Sequence, residues 1–150
     1  KHYDRIFLLD QEVPLYSHLP VLERFKEKVS VITGWTDDDN LFNHTLGRLK
    51  LDRQHFVVLY KWLHFRRARQ NIWPDMSGML HEYVQSTGQD VNMFQLRLML
   101  GVFDELEFIK VNVQPAYIVI ECNPNPRNRE LTESRLYQCY QMWMNKMITR

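Results

Sequence analysis

Apolar residues along this chain fall into blocks whose spacing changes several times. The first, Ile6 to Leu9 (IFLL), is continuous, the pattern of a short strand buried on both faces. After a loop with Pro14, Leu22, Phe25, Val29 and Ile32 fall at helical spacing. Pro20 suits the first turn of that helix and Gly34 its end, so the pattern predicts one strand–helix step of an α/β layer. Trp35 to Lys50 (WTDDDNLFNHTLGRLK) is polar and irregular. A subdomain boundary is expected there, dividing a partial α/β element with its linker (1–50) from a second unit (51–150).

The second unit is more regular. Asp52 can cap a helix in which Phe56, Leu59, Tyr60 and Leu63 share one face, and which ends in the basic run RRARQ. Trp73-Pro74 reads as a break. Met79, Leu80, Tyr83 and Val84 mark a second helix closed by Gly88. Asn92, with Gln95 three residues on, resembles a capping box and opens a third helix that turns Leu96, Met99, Leu100, Phe103 and Leu106 inward. Two β-rich runs follow, Phe108 to Val113 (FIKVNV) and Tyr117 to Cys122 (YIVIEC). Joined through Gln114-Pro115-Ala116, they suit a hairpin. Three helices and then a hairpin is the order of a winged helix.

The next stretch, NPNPRNRELTESRLYQ (Asn123 to Gln138), stops the ladder with Pro124 and Pro126, turns through Arg127 and Arg129, and starts a helix. Thr132 is the expected N-cap, and Glu133 sits where the helix dipole favours an anion. Leu136, Tyr140, Trp143, Met144 and Met147 form the apolar stripe of that helix. The expected fold class is therefore α+β. A winged-helix-like domain of three helices, a β-hairpin and a C-terminal helix follows a partial α/β element.

Composition narrows the function classes. An apolar fraction of 45% with 13% aromatic residues can build a core, which excludes a disordered chain. Nineteen basic against eighteen acidic residues leave a net charge of +1, so any polyanion contact must be a local patch. Cys122 and Cys139 are too few for a disulfide scaffold and lack CxxC spacing, so a reducing, cytoplasmic setting is the default. No apolar run approaches the roughly 20 residues of a membrane span. The opening KHYDRIFLLD heads straight into a strand, and a piece of a longer chain is expected.

Two basic clusters are candidate contacts. At the end of the first predicted helix, Lys61, His64, Arg66, Arg67 and Arg69 interleave with Trp62, Phe65 and Trp73, a mixture that tracks phosphates and stacks unpaired bases. The plain alternative is a helix C-terminus enriched in cations over buried tryptophans. After the hairpin, Arg127, Arg129 and Arg135 could grip carboxylates or phosphates in a planar fork, or pair with Glu130 and Glu133. The third helix is a poor groove reader. Its outward face is expected to offer Gln95 and Arg97, but then Asp104, Glu105 and Glu107, whose charges repel a phosphate backbone. Asp37 to Asp39 lack an EF-hand ladder, and the six histidines lack zinc spacing. No GxSxG or glycine-rich phosphate loop occurs. The methionine-rich MWMNKM (Met142 to Met147) suits either a core stripe or an adaptable interface.

Three blocks also carry a family resemblance: DRQHFVVLYKWL (Asp52 to Leu63), LMLGVFDELEFIKV (Leu98 to Val111) and NPNPRNRELTESRLYQ. In this order they resemble the C-terminal accessory region of bacterial RecJ-type single-strand-specific DNA exonucleases. The likeness spans roughly Asp52 to Tyr140 and is weaker before it, where IFLLD (Ile6 to Asp10) is similar to a strand of the α/β portion preceding the winged helix in that family. The resemblance implies a non-catalytic appendage of a 5′→3′ exonuclease of DNA repair and recombination. The family's chemistry belongs to an upstream core with an Asp-His-His motif and bound manganese or magnesium. No such motif occurs here, so no catalytic residue, metal ligand or cofactor is expected in this fragment. Trp62 and Glu105 fall within matched blocks but receive no task. The implied partners are the catalytic core in cis, the acidic, hydrophobic-ended tail of a single-strand-binding protein, and single-stranded DNA, with no membrane. The alternative is a stand-alone winged-helix regulator that binds duplex DNA.

Overall fold

The computed structural model describes residues 47–66 and 71–148, with side chains through Lys146, and the backbone of residues 5–8 and 30–33. Strand β1 (Arg5–Leu8) pairs in parallel with β2 (Ser30–Thr33), Ile6 opposite Val31 and Phe7 opposite Ile32. The apolar run at Ile6 therefore forms the expected strand. Ile32, however, lies in a strand and not at the end of a helix. The cause is local: Val31, Ile32 and Thr33 are consecutive β-branched residues, which lose side-chain freedom in a helix and pack well on a pleated surface. Leu22, Phe25 and Asp37 to Asp39 lie outside the described residues.

Among the described residues, 51–148 form four long helices and a small antiparallel sheet. Helix α1 (Arg53–Phe65) starts where its cap is expected: Asp52 accepts from His55 N, and His55 Nδ1 accepts from Asp52 N, each at 3.1 Å. The segment after α1 is not merely a break. Ile72–Trp73 forms a two-residue strand, β3, on the edge of the sheet. Helix α2 (Met76–Thr87) is capped by Asp75, which accepts from Gly78 N at 2.7 Å, and ends at Gly88 in the left-handed conformation (φ 68°). Helix α3 (Met93–Glu105) opens on the Asn92–Gln95 capping box.

The hairpin consists of β4 (Ile109–Val113) and β5 (Ile118–Cys122), with Val111 opposite Ile120 and Gln114 N donating to Tyr117 O at 2.8 Å. The strand order is β3-β5-β4, both pairings antiparallel. Ile118 and Ile120 face inward. On the outer edge of β4, Val111 N donates to the Asp104 carboxylate at 3.0 Å, which blocks addition of another strand there. A 3₁₀ turn (Leu131–Glu133) leads into α4 (Arg135–Ile148).

The core lies where α1, α2, α3 and α4 meet the inner face of the sheet. Leu59, Leu63, Met79, Leu96 and Met99 are fully buried, each burial being worth about 1.5–3 kcal/mol. Helix α3 is buried more widely than its predicted stripe, since Leu98 and Val102 are also inaccessible. On α4, Tyr140 and Met144 are buried while Leu136 and Trp143 are half-buried against the core; the Met147 side chain lies outside the described residues. The α3–α4 approach is close: a β-carbon at Gly101 would stand 2.8 Å from Leu136 Cδ2.

The start of α4 differs from expectation. Thr132 lies in the 3₁₀ turn, and the capping hydroxyl belongs to Ser134, whose Oγ accepts from Tyr137 N at 3.1 Å. The anion at this helix N-terminus is Glu105, from the end of α3. It accepts from Ser134 Oγ at 2.8 Å, Arg135 N at 2.8 Å and Leu136 N at 3.0 Å. Glu133 serves the preceding turn, accepting from Glu130 N at 2.6 Å.

Candidate functional site

Both basic clusters contribute to one groove, and each also has members that do not. Along α1, Arg53, Val57 and Lys61 repeat every four residues and so form one ridge. Opposite runs the turn from Pro126 to Thr132. Between them lies a groove of about 560 Å³. Its floor is aromatic: Phe56 and Phe103 meet edge to face at 5.7 Å, Phe56 and Tyr137 at 5.6 Å, and Tyr60 and Phe108 at 6.0 Å. Its rim is cationic, with Arg53 and Lys61 on one side and Arg127 and Arg129 on the other; Glu130 is the acid of the lining.

The turn that carries the two arginines is held by its asparagines. Asn123 N donates to Phe108 O at 2.9 Å, Asn123 Nδ2 donates to Glu107 O at 2.8 Å, and Asn123 Oδ1 accepts from Asn125 N at 3.0 Å. Glu107 itself has a left-handed backbone (φ 61°), which reverses the chain between α3 and β4. Arg129 Nε lies 3.6 Å from Glu133 Oε1. Among the described residues no ion pair engages Arg53, Lys61 or Arg127. The site is thus apolar below and positive above. It suits a ligand that offers an apolar group together with carboxylates or phosphates.

Arg66 and Trp73, candidate contacts in one reading of the first cluster, are turned inward, as the alternative of buried tryptophans has it for Trp73. Arg66 ion-pairs with Glu82, and its guanidinium lies 5.1 Å from the Trp62 ring centre and 5.2 Å from that of Trp73. Trp62 and Trp73 stack at 5.7 Å; Trp73 Nε1 donates to Glu82 Oε2 at 2.6 Å, and Trp62 Nε1 to Ser86 Oγ at 3.0 Å. This gives Trp62 its structural task. Phe65 is 91% exposed, one turn beyond Lys61 on the same ridge. Arg67 and Arg69 lie outside the described residues. Arg135 is exposed, with its amide on Glu105, and does not line the groove.

The face of α3 also differs from its expected form. Gln95 is buried, with Nε2 donating to Lys50 O at 2.9 Å, because the N3 side chain of a capping box folds back onto the chain. Asp104 is bound to β4 and Glu105 to α4. Sequence reasoning missed Arg53, Tyr60 and Phe108 as groove residues. The four-residue spacing of Arg53 to Lys61 was an available signal for the first. Nothing local marks Phe108, which the left-handed turn at Glu107 sets against Phe103 at 5.9 Å and Tyr60 at 6.0 Å.

Among the described residues no group of three His, Cys, Asp or Glu side chains is placed to hold a metal ion, and no helix is long and apolar enough to cross a membrane. Comparison with curated proteins and with solved structures gives no match. Residues 51–148 match the family of the single-strand DNA-specific exonuclease, C terminal domain. That span contains α1 to α4, the three-stranded sheet and the whole groove, so the chain belongs to the C-terminal domain family of RecJ-type single-strand DNA-specific exonucleases.

Proposed function

We propose that this chain is a non-catalytic docking module at the C-terminus of an exonuclease of DNA repair and recombination. In this reading the reaction and its manganese or magnesium ions belong to the catalytic core in cis. The groove receives the acidic, hydrophobic-ended tail of a single-strand-binding protein, which brings the nuclease to coated single strands. The observation that carries this is the aromatic floor beneath Arg53, Lys61 and Arg127, chemistry that fits an apolar side chain flanked by carboxylates.

In the same reading the four helices and the three-stranded sheet make up a winged-helix-like platform. The order α1, β3, α2, α3, β4, β5 with sheet order β3-β5-β4 is consistent with such a domain. A stand-alone regulator reading duplex DNA through α3 is disfavoured. Gln95 is buried, Asp104 and Glu105 are engaged, and Arg97 alone of the expected base readers remains partly accessible. The exposed Phe65 beyond Lys61 favours a second reading, in which a single strand lies along the α1 ridge.

The test is a titration of the chain with a fluorescent aspartate-rich peptide ending in phenylalanine, with a single-stranded oligonucleotide as competitor. Arg127→Glu and Lys61→Glu are each expected to weaken the peptide about tenfold, with a steep salt dependence. Peptide affinity indifferent to both reversals overturns the docking reading. Oligonucleotide binding that falls with Phe65→Ala, and that does not displace the peptide, supports the second reading.

A further inference from the structure

The two arginines on the 126–132 turn are not equivalent. The Arg129 guanidinium already faces a carboxylate, with Nε 3.6 Å from Glu133 Oε1. The other oxygen, Glu133 Oε2, accepts from Glu130 N at 2.6 Å, which fixes the carboxylate beside the rim. The pair remains accessible, with side chains 30% and 48% exposed. Arg127 is exposed and has no such partner among the described residues.

We infer that Glu133 is a built-in substitute for the ligand's carboxylate. It engages Arg129, and an incoming acidic peptide must displace it. Arg127 makes the first contact and Arg129 the second, so Glu133 sets how acidic a ligand must be to hold the rim. This rests on the peptide reading of the groove. An exposed ion pair is weak, so displacement is easy and the effect on affinity is modest, about two- to fivefold. Such a device lowers affinity for weakly charged tails while leaving strongly acidic ones bound.

The experiment is a double-mutant cycle on the whole chain, with dissociation constants for the aspartate-rich peptide ending in phenylalanine. Glu133→Gln keeps an oxygen for Glu130 N–H and removes the charge. It is expected to tighten the peptide about two- to fivefold while Arg129 is present. In an Arg129→Gln background the same change is expected to gain less than about twofold, because no cation is released. An equal gain in both backgrounds marks a general field effect and overturns the inference, as does no gain in either. If Glu133→Gln shifts the melting temperature, Glu133→Ser provides the second arm, with the same expected pattern. Peptide affinity that is unchanged by Arg127→Gln removes the peptide reading beneath it, an outcome distinct from failure of the cycle alone.

Discussion

Arg66 follows a helix end rich in cations, yet its environment is an interior one. Its side chain is only 15% exposed, lies against two indole rings and meets the Glu82 carboxylate. Removing the guanidinium takes the cation from the Glu82 carboxylate, which is itself 41% exposed, and strips packing from beside both indole rings. Arg66→Ala is therefore expected to lower unfolding stability by about 1–2 kcal/mol, read as a fall in the urea midpoint at constant slope. Lys61→Ala, on the exposed ridge, is expected to change stability by less than about 0.5 kcal/mol and to act on ligand affinity instead. If Arg66→Ala leaves the midpoint in place, the pair is ornamental. In the sequence Lys61, Arg66, Arg67 and Arg69 read as one cluster, since spacing shows neither Glu82 nor the stack of Trp62 on Trp73. What distinguishes Arg66 from Lys61 is a contact made across 16 positions, which only the folded chain brings together.

Elements whose ends are fixed by neighbouring residues were legible. Asp52, Gly88 and the Asn92–Gln95 box each act within one turn, so their residue types announce them. Strand β3 was not, because two residues carry no periodicity and Ile72–Trp73 is a strand only by pairing with β5. The start of α4 was misplaced for a related reason: its cap is built partly by α3. Burial of Glu105 opposes its charge, but the Leu136 amide, the Ser134 hydroxyl and the Arg135 amide outweigh that, and its carboxyl ionises below the ordinary value of 4.5. A depressed native pKa means that the unfolded chain binds the proton more tightly. The stabilisation is therefore complete above 4.5 and is lost as pH falls through the lower native value. Glu105→Gln is expected to cost about 1–2 kcal/mol at neutral pH. Its thermal midpoint should converge with that of wild type as the solution is acidified. Parallel melting curves across that range refute the cap, and the close packing of Gly101 on Leu136 would then hold the two helices together unaided.

At the scale of the molecule, the chain leads into the groove-bearing helices through residues 48–51, a strap whose backbone is held at every residue. Asn92 Nδ2 donates to Arg48 O at 2.7 Å and Gln95 Nε2 to Lys50 O at 2.9 Å, so the capping box of α3 also grips the strap. The Tyr140 hydroxyl of α4 donates to Leu49 O at 2.9 Å and accepts from Leu51 N at 2.7 Å. Leu49 and Leu51 are themselves in the core. Burial pushes the Tyr140 phenol up to about 12, so it stays protonated and can give and accept these bonds at neutral pH. The stretch 35–50 reads as polar and irregular, because Gly47, Arg48 and Lys50 surround Leu49 and spacing does not show that it packs. Tyr140→Phe keeps the ring in the core but strands a buried N–H and a buried carbonyl, at a cost of about 1–3 kcal/mol. The loss is expected to be uneven: amide exchange at Leu51 should accelerate more than at Leu59 or Leu96, since the strap can open while the helices remain packed. Exchange that rises equally at all three sites would show that strap and helices unfold as one, and would make Tyr140 an ordinary core residue. Because the strap runs directly into Asp52 and the α1 wall of the groove, the same variant is also expected to weaken the acidic peptide, and Lys61→Ala to leave Leu51 exchange unchanged.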